Sequence, residues 1–275
     1  MACTKVLGVL QRNYISIDRL MDALQNLFNP YERRAQLSPM LIALAPAIAL
    51  AVMYVPGIPN ISIKSASAFL LYGTISTLLA TQARQAGKRR EPALKVEWGG
   101  WPSMMIFRHR DNHIDPITKT NLHKAMAKSV PSTFAPTPAQ EAEDPAGCDN
   151  VYLAWSEYLR KIARNQDTKY PHVFRESMSY GFHRNLYGLK FFGIALLVLV
   201  SAVTGVVAWQ KWLLTQALPH PELICLRVFF SLLLFWILAV TRSSVKRAAY
   251  DYAMRLLDDC VPNFSLKKTK CKNSE

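Results

Sequence analysis

The run FRHRDNHIDP, residues 107–116, holds the densest group of chemically active side chains in the chain. Its histidines, aspartates and arginines could act in acid–base catalysis, coordinate a metal ion or bind phosphate. The triplet HRD within it also occurs in protein-kinase catalytic loops, where an asparagine five positions after the aspartate holds magnesium. Here that position is Pro116, and the chain contains no Gly-rich nucleotide loop and no DFG sequence. A kinase is therefore excluded.

A metal site is a second reading of the same run. On an extended strand His109, Asp111 and His113 would share one face. Arg108 and Arg110 would repel a cation, however, and no ligand spacing such as HExxH is present. We therefore expect no metal, no cofactor and no catalytic residue. A metal-dependent membrane enzyme that uses these three ligands stays open as the less favoured alternative.

Aromatic and basic side chains around the run favour a nucleotide-type ligand. Tryptophan faces stack on bases, and guanidinium groups bond to phosphates. A second stretch, YGFHRNLYGLK at 180–190, adds a histidine and an arginine between glycines that allow close helix packing. The predicted ligand-binding residues are Arg89, Arg90, Trp98, Trp101, Arg108, Arg110, His183 and Arg184. Two alternatives stay open: the insert residues fill a small core and pair with neighbouring carboxylates, and the second stretch anchors the chain at the membrane surface.

Four long segments are nearly free of charge, and each has about the 20 residues that a helix needs to cross a hydrocarbon core. They are 37–57, 63–81, 187–210 and 223–240. Basic residues cluster before the first and third segments and after the second and fourth. By the positive-inside rule, both termini and the long middle region face the cytoplasm. Much of the net charge of +14 therefore reflects topology rather than an anionic partner.

The fold class that we predict is a mostly α-helical membrane protein with two transmembrane hairpins, four spans in all, and a small cytoplasmic α+β domain inserted between them. Leu94, Val96 and Trp98 alternate with polar residues before the turn at 99–102, which predicts a β-hairpin whose second strand is SMMIF. The stretch PSTFAPTPAQEAEDPAG predicts an exposed loop.

The predicted organisation has five parts along the chain. They are a cytoplasmic amphipathic segment at 1–36, a hairpin at 37–84, a cytoplasmic sensor domain at 85–186, a second hairpin at 187–243, and a cytoplasmic helix with a basic tail at 244–275. Asp115 and Pro116 suit an N-cap and a first helical position, and predict a helix through about Lys128 within the sensor domain.

The second predicted span carries hydroxyl side chains at near-heptad spacing. They are Ser67, Thr74, Thr77 and Thr81. Such a stripe lines a wet pore when several copies assemble, or forms hydrogen bonds between helices in a static bundle. Four spans alone make a poor solute pathway, so a pore implies a cyclic homo-oligomer. No Asp or Glu lies at a span centre, which argues against a proton-coupled transporter.

The strings GKRREPALKVEWGGWP, RHRD and YGFHRNLYGLK, flanked by the two helix hairpins, resemble membrane effectors of bacterial antiphage systems in which a nucleotidyltransferase makes a nucleotide or oligonucleotide signal. The arrangement is most similar to the channel component of the Hailong type. This resemblance is architectural, and it transfers no functional residue to this chain. It implies an oligomeric channel that a DNA-like oligomer holds shut and that depolarises the infected cell, with a nucleotidyltransferase encoded nearby as a partner.

The function that we expect is therefore a non-enzymatic, multi-pass ion channel of the bacterial inner membrane. It would be a homo-oligomer in the lipid bilayer, gated by a nucleotide or a single-stranded oligonucleotide bound to its cytoplasmic domain. The alternative of a different class is a non-conducting membrane scaffold that recruits a cytoplasmic partner.

Overall fold

The computed structural model describes residues 30–54, 66–164 and 166–261, with only the backbone described for Val52 and for 66–73. The chain divides into two compact units. One unit, here named the membrane unit, comprises Met1–Arg89 and Gly181–Thr241; the other, the helical unit, comprises Arg90–Tyr180 and Arg242–Glu275. Most of the predicted amphipathic N-terminal segment and the predicted basic tail lie outside the described residues.

All regular secondary structure in the described ranges is helical. A π-helical segment, Glu32–Leu37, leads into α1 (Ser38–Tyr54). The helices that follow are α2 (Ala66–Trp98), α3 (Pro102–Met105), α4 (Pro116–Ser129), α5 (Pro138–Glu143), α6 (Pro145–Ala163), α7 (Pro171–Gly188), α8 (Lys190–Thr215), α9 (His220–Leu238) and α10 (Arg242–Cys260). Helices α2 and α7 contribute residues to both units.

Three helical segments of the described chain are long and apolar enough to cross a membrane, which is consistent with a membrane protein. They are Glu32–Ala51, Lys190–Thr215 and His220–Leu238. The prediction of four spans is therefore wrong. The second predicted segment, 63–81, falls largely within α2, which is not among the three. Its serine and threonine hydroxyls and the glutamines and basic residues that follow lower the apolarity of this helix.

The predicted α+β insert is also wrong, because no strand occurs among the described residues. Leu94 and Trp98 are buried, whereas Val96 between them is 83% exposed. Burial four residues apart is the period of a helix, and alternation would have buried all three. Gly99 then ends α2 with a φ of +76°, and Gly100 donates its N–H to the carbonyl of Lys95 at 3.0 Å. This is a Schellman ending, which requires a residue that tolerates the left-handed conformation.

The predicted second strand forms α3 and the turn after it. Pro102 occupies the first position of this short helix. Ile106 and Phe107 follow and are completely buried. Phe107 packs edge-on against Trp155 of α6, with ring centroids 5.4 Å apart. The same core contains Leu256 of α10, so it is assembled from segments that are distant in the sequence.

Helices α2 and α7 of the membrane unit approach each other through glycine. A Cβ added at Gly188 would lie 2.4 Å from the carbonyl carbon of Ala86, and one at Gly87 would lie 2.2 Å from Oδ1 of Asn185. Asn185 is completely buried and donates its side-chain N–H to the carbonyl of Ala35 at 2.7 Å. Backbone contact at this range is possible only where both helices carry a small residue.

This contact sets the rotation of α2 about its axis. Four small residues of α2 are buried, at steps of four, three and four. They are Ser76, Ala80, Ala83 and Gly87. The helix therefore turns this small-residue face into the membrane unit, with Leu79 and Ala86 partly buried beside it.

We predict that Gly188→Ala destabilises the membrane unit. The added methyl group meets the backbone of Ala86, which cannot rotate away, so the loss should be about 1–3 kcal/mol. The matched control is Gly205→Ala in α8, where an added Cβ meets nothing within 4 Å. Alanine has the higher helix propensity, so the control should be neutral or slightly stabilised. Thermal unfolding in detergent measures both; equal midpoints would contradict the close approach.

Candidate functional site

Arg108, the central arginine of the charged run, is fully engaged inside the helical unit. It is only 7% exposed. Its Nε and Nη2 donate to the two carboxylate oxygens of Asp149 at 2.8 and 2.7 Å, and Nη2 also donates to the carbonyl of Gly99 at 2.8 Å. This fork-to-fork pairing is the strongest geometry available to an arginine and leaves little of it for a phosphate. Arg108 therefore joins the ending of α2 to α6.

Lys119 of α4 binds the loop that contains Arg108. Its side chain is almost completely buried, at 2% exposure. The ammonium group donates to the carbonyl of Arg108 at 2.7 Å and contacts the carbonyl of Asp111. Burial lowers the pKa of Lys119, although the carboxylates of Asp111 and Glu141 oppose that shift. A buried lysine directed at backbone carbonyls holds a loop in one conformation.

Glu141 of α5 is a further buried charged residue that contacts this loop. The backbone N–H of His109 donates to its Oε2 at 2.7 Å, and the hydroxyl of Tyr152 donates to the same oxygen at 2.8 Å. Burial alone would raise the pKa of the Glu141 carboxyl, but these hydrogen bonds together outweigh it and leave the pKa below its ordinary value. The carboxylate is thus a structural acceptor rather than a proton carrier.

His123 of α4 lies deep in the helical unit at 2% exposure. Its Nε2 lies 2.7 Å from the carbonyl of Phe107, and its ring meets that of His109 edge-on at 4.5 Å. Nε2 of His109 lies 2.8 Å from the carbonyl of Pro136. Burial lowers the pKa of His123, so the neutral ring donates its proton to the Phe107 carbonyl.

The outer part of the loop is tied to α10. Asp111 accepts from the hydroxyl of Tyr250 at 3.1 Å and lies 2.9 Å from Nδ1 of His113, whose ring stacks on Tyr250 at 3.9 Å. His109 therefore bonds to the Pro136 carbonyl, whereas Asp111 and His113 bond to each other and both contact Tyr250. Among the described residues there is no group of three or more His, Cys, Asp or Glu side chains that could hold a metal ion. The alternation that suggested a metal site requires a strand, and the loop is not one.

The remaining predicted ligand residues of the insert differ in accessibility. Trp98 is buried, and Trp101 is partly buried against the core of the helical unit, with Nζ of Lys95 6.0 Å from its ring centroid. The side chain of Arg110 is 52% exposed and lies 3.9 Å from the carboxylates of Glu141 and Asp149. The two arginines of α2 at 89 and 90 are exposed. The tryptophan faces are thus occupied by packing, while part of the basic charge faces solvent.

The second stretch, at 180–190, forms the end of α7. Arg184 is 9% exposed, and its Nε and Nη2 donate to Oδ1 of the neighbouring Asn185 at 3.2 and 3.1 Å. His183 is half-buried, with its ring 5.4 Å from that of Phe182. This stretch therefore packs the membrane unit through Gly188 and Asn185.

A continuous polar stripe on the exposed side of α2 is the strongest candidate for a functional site. Its members follow one another at steps of three, four, three and four residues, and all are exposed. They are Thr74, Thr77, Thr81, Arg84 and Lys88. Heptad spacing places them in one row about 21 Å long at a rise of 1.5 Å per residue. Predicted Thr74, Thr77 and Thr81 thus belong to this polar stripe, whereas the side chain of Ser67 lies outside the described residues.

Three functional-looking residues were not anticipated from the sequence. Lys119 and Asp149 are ordinary charged helix residues by pattern, and nothing local marks them as partners of Arg108. Glu141 had a usable signal: Thr137 and Gln140 form a capping box, which begins α5 inside the stretch predicted to be a loop. Polar partners that come from distant segments have no sequence period to reveal them.

No family model, no curated protein and no solved structure matches the chain.

We predict that Lys119→Met destabilises the helical unit strongly. Methionine fills a similar volume but leaves the carbonyls of Arg108 and Asp111 without their donor, at about 1–3 kcal/mol for each buried group. The control is Lys124→Met on the same helix, where the side chain is exposed and the change should be within about 0.5 kcal/mol. Denaturant unfolding followed by tryptophan fluorescence distinguishes them, and similar midpoints would show that the ammonium does not hold the loop.

We also predict that the helical unit loses stability as the pH falls below about 6.5, the ordinary pKa of histidine. Because the folded pKa of His123 is lowered, the unfolded chain binds a proton there first, and acid favours unfolding. Glu141, with its lowered pKa, adds a further loss below about 4.3. Unfolding midpoints between neutral and acidic pH should depend less on pH in His123→Gln, while His172→Gln, at an exposed position, keeps the wild-type dependence. An unchanged pH dependence in His123→Gln would refute the assignment.

Proposed function

We propose that the protein is an oligomeric ion channel of the bacterial inner membrane, with pores lined by the polar stripe of α2. The observation that carries this proposal is the stripe itself. Threonine hydroxyls can satisfy themselves on their own helix, as Thr81 does by donating to the carbonyl of Thr77 at 2.8 Å. Arg84 and Lys88 follow the second predicted span and continue the row as its exposed basic end. A row of this kind on a helix of the membrane unit requires water, which an assembly around an axis supplies.

The rest of the membrane unit suits this arrangement. Helices α8 and α9 expose large apolar side chains, among them Leu199 at 61% and Phe230 at 61%. Lipid or a neighbouring copy can cover such apolar surfaces. The polar stripe instead requires water or a polar partner. Ile75 and Leu78 flank the stripe and are 46% and 59% exposed. They provide an apolar margin along which adjacent copies of α2 would pack.

The proposed ligand is a nucleotide or single-stranded oligonucleotide, as the resemblance implies. Its support here is the exposed basic end of the stripe, where Arg84, Lys88 and Arg89 lie within two helical turns. Guanidinium and ammonium groups presented by several copies would form a ring able to bind phosphates. The internally paired Arg108 and Arg184 are no longer part of this proposed surface.

We predict that Thr77→Val reduces single-channel conductance, because a methyl group replaces a hydroxyl of nearly equal size on the pore wall. Ile75→Val, two positions away and off the stripe, should conduct as the wild type. Thr77→Cys should be blocked by a water-soluble thiol reagent and Leu78→Cys should not, with wild-type protein as the baseline because Cys225 is half-buried. Planar-bilayer recordings measure all of these.

The same recordings, repeated with single-stranded DNA oligonucleotides and cyclic nucleotides, examine the ligand. A conductance change caused by one class identifies the signal. A silent bilayer that contains verified oligomer under every condition would refute the channel and favour the scaffold alternative.

A further inference from the structure

The membrane unit carries many more positively than negatively charged side chains. Its described residues include nine basic side chains and two carboxylates. The basic residues are Arg33, Arg34, Arg84, Lys88, Arg89, Arg184, Lys190, Lys211 and Arg227. The carboxylates are Glu32, in the π-helical segment, and Glu222, at the start of α9. No carboxylate lies on α2 between Ala66 and Arg89, which is the helix that would line the pore.

Glu222 is buried inside the membrane unit and does not face water. It is 1% exposed, accepts from the hydroxyl of Tyr54 at 3.0 Å and forms an ion pair with Lys211. Its charge is thereby neutralised by a lysine and enclosed by α1, α8 and α9. A permeating cation would find no exposed carboxylate on the described part of α2 up to Arg89, or on α8 or α9.

Arg227 provides an independent observation at the other end of the membrane unit. It is exposed although it lies inside a candidate span, about 10 Å along α9 from His220. Ile224 and Val228 beside it are 59% and 52% exposed, so its surroundings on α9 are apolar. The connecting segment 55–65 contains no Asp or Glu in its sequence. An arginine within a span faces the bundle interior or a water-filled cavity far more often than bare lipid.

We propose that the ions that pass through this assembly are anions, with chloride as the abundant permeant species. The inference rests on the proposed channel function and names its substrate class. Repeated by symmetry, Arg84 and Lys88 place positive rings at one end of the path lined by α2, and Arg227 of α9 adds a further set of exposed positive charges. Rings of Arg and Lys attract anions and repel cations, and Asp or Glu rings do the opposite.

The test is the reversal potential in planar bilayers with a KCl gradient across the membrane. Anion selectivity places the reversal potential near the chloride equilibrium potential, and replacing chloride with gluconate removes most of the current. A reversal potential near that of potassium would overturn this inference and leave the channel proposal standing. The absence of any current from verified oligomer would overturn both.

Variants then locate the selectivity. Arg227→Gln, and separately Arg84→Gln with Lys88→Gln, should shift the reversal potential toward zero. Arg33→Gln is the matched control, since it removes an exposed positive charge of the same unit that lies on neither α2 nor α9. Size-exclusion chromatography checks that each variant keeps its oligomeric state. Unchanged selectivity in both sets would overturn the assignment of these residues.

Discussion

The contact between α2 and α7 at Gly188 is the constraint on which the membrane unit depends most. With a virtual Cβ only 2.4 Å from the Ala86 carbonyl carbon, the helices touch backbone to backbone. That proximity leaves no rotational freedom for α2: its small residues must face inward, and the polar stripe must face outward. The exposure of Thr77 and Arg84 is thus a consequence of where two glycines stand, as much as of their own polarity.

The charged loop shows the opposite use of polar residues. Arg108, Lys119 and Glu141 are buried, and each is directed at a partner within the helical unit. Together they bind the loop at 107–115 to α4, α5 and α6. Buried charges that are paired and hydrogen-bonded favour one arrangement over alternatives, even where their net contribution to stability is modest. The charged side chains of the HRD triplet therefore stabilise the fold of the helical unit.

Sequence patterns recovered what is local and failed on what is distant. Helix α4 begins at Pro116 with Asp115 as its N-cap, as predicted, because capping is decided within four residues. The apolar spans in α1, α8 and α9 were found by composition, since lipid compatibility is a property of the segment alone. The predicted strand was wrong because Leu94 and Trp98 fit periods of both two and four, and only the exposure of Val96 between them distinguishes a helix from a strand. The partners of Arg108 could not be foreseen, because Asp149 joins it through the tertiary fold.

The contrast between the two units argues where function resides. In the helical unit the charged side chains of the loop at 107–115 bind partners within the unit. Removing one of them is therefore expected to destabilise the fold before it affects any ligand. In the membrane unit Arg84, Lys88 and Arg227 stay exposed, and on α9 the exposed neighbours of Arg227, Ile224 and Val228, are apolar. Exposed charge beside apolar surface is expensive in a bilayer unless water or an anion accompanies it. A function must therefore account for Arg84, Lys88 and Arg227, rather than for the cluster of titratable residues at 107–116.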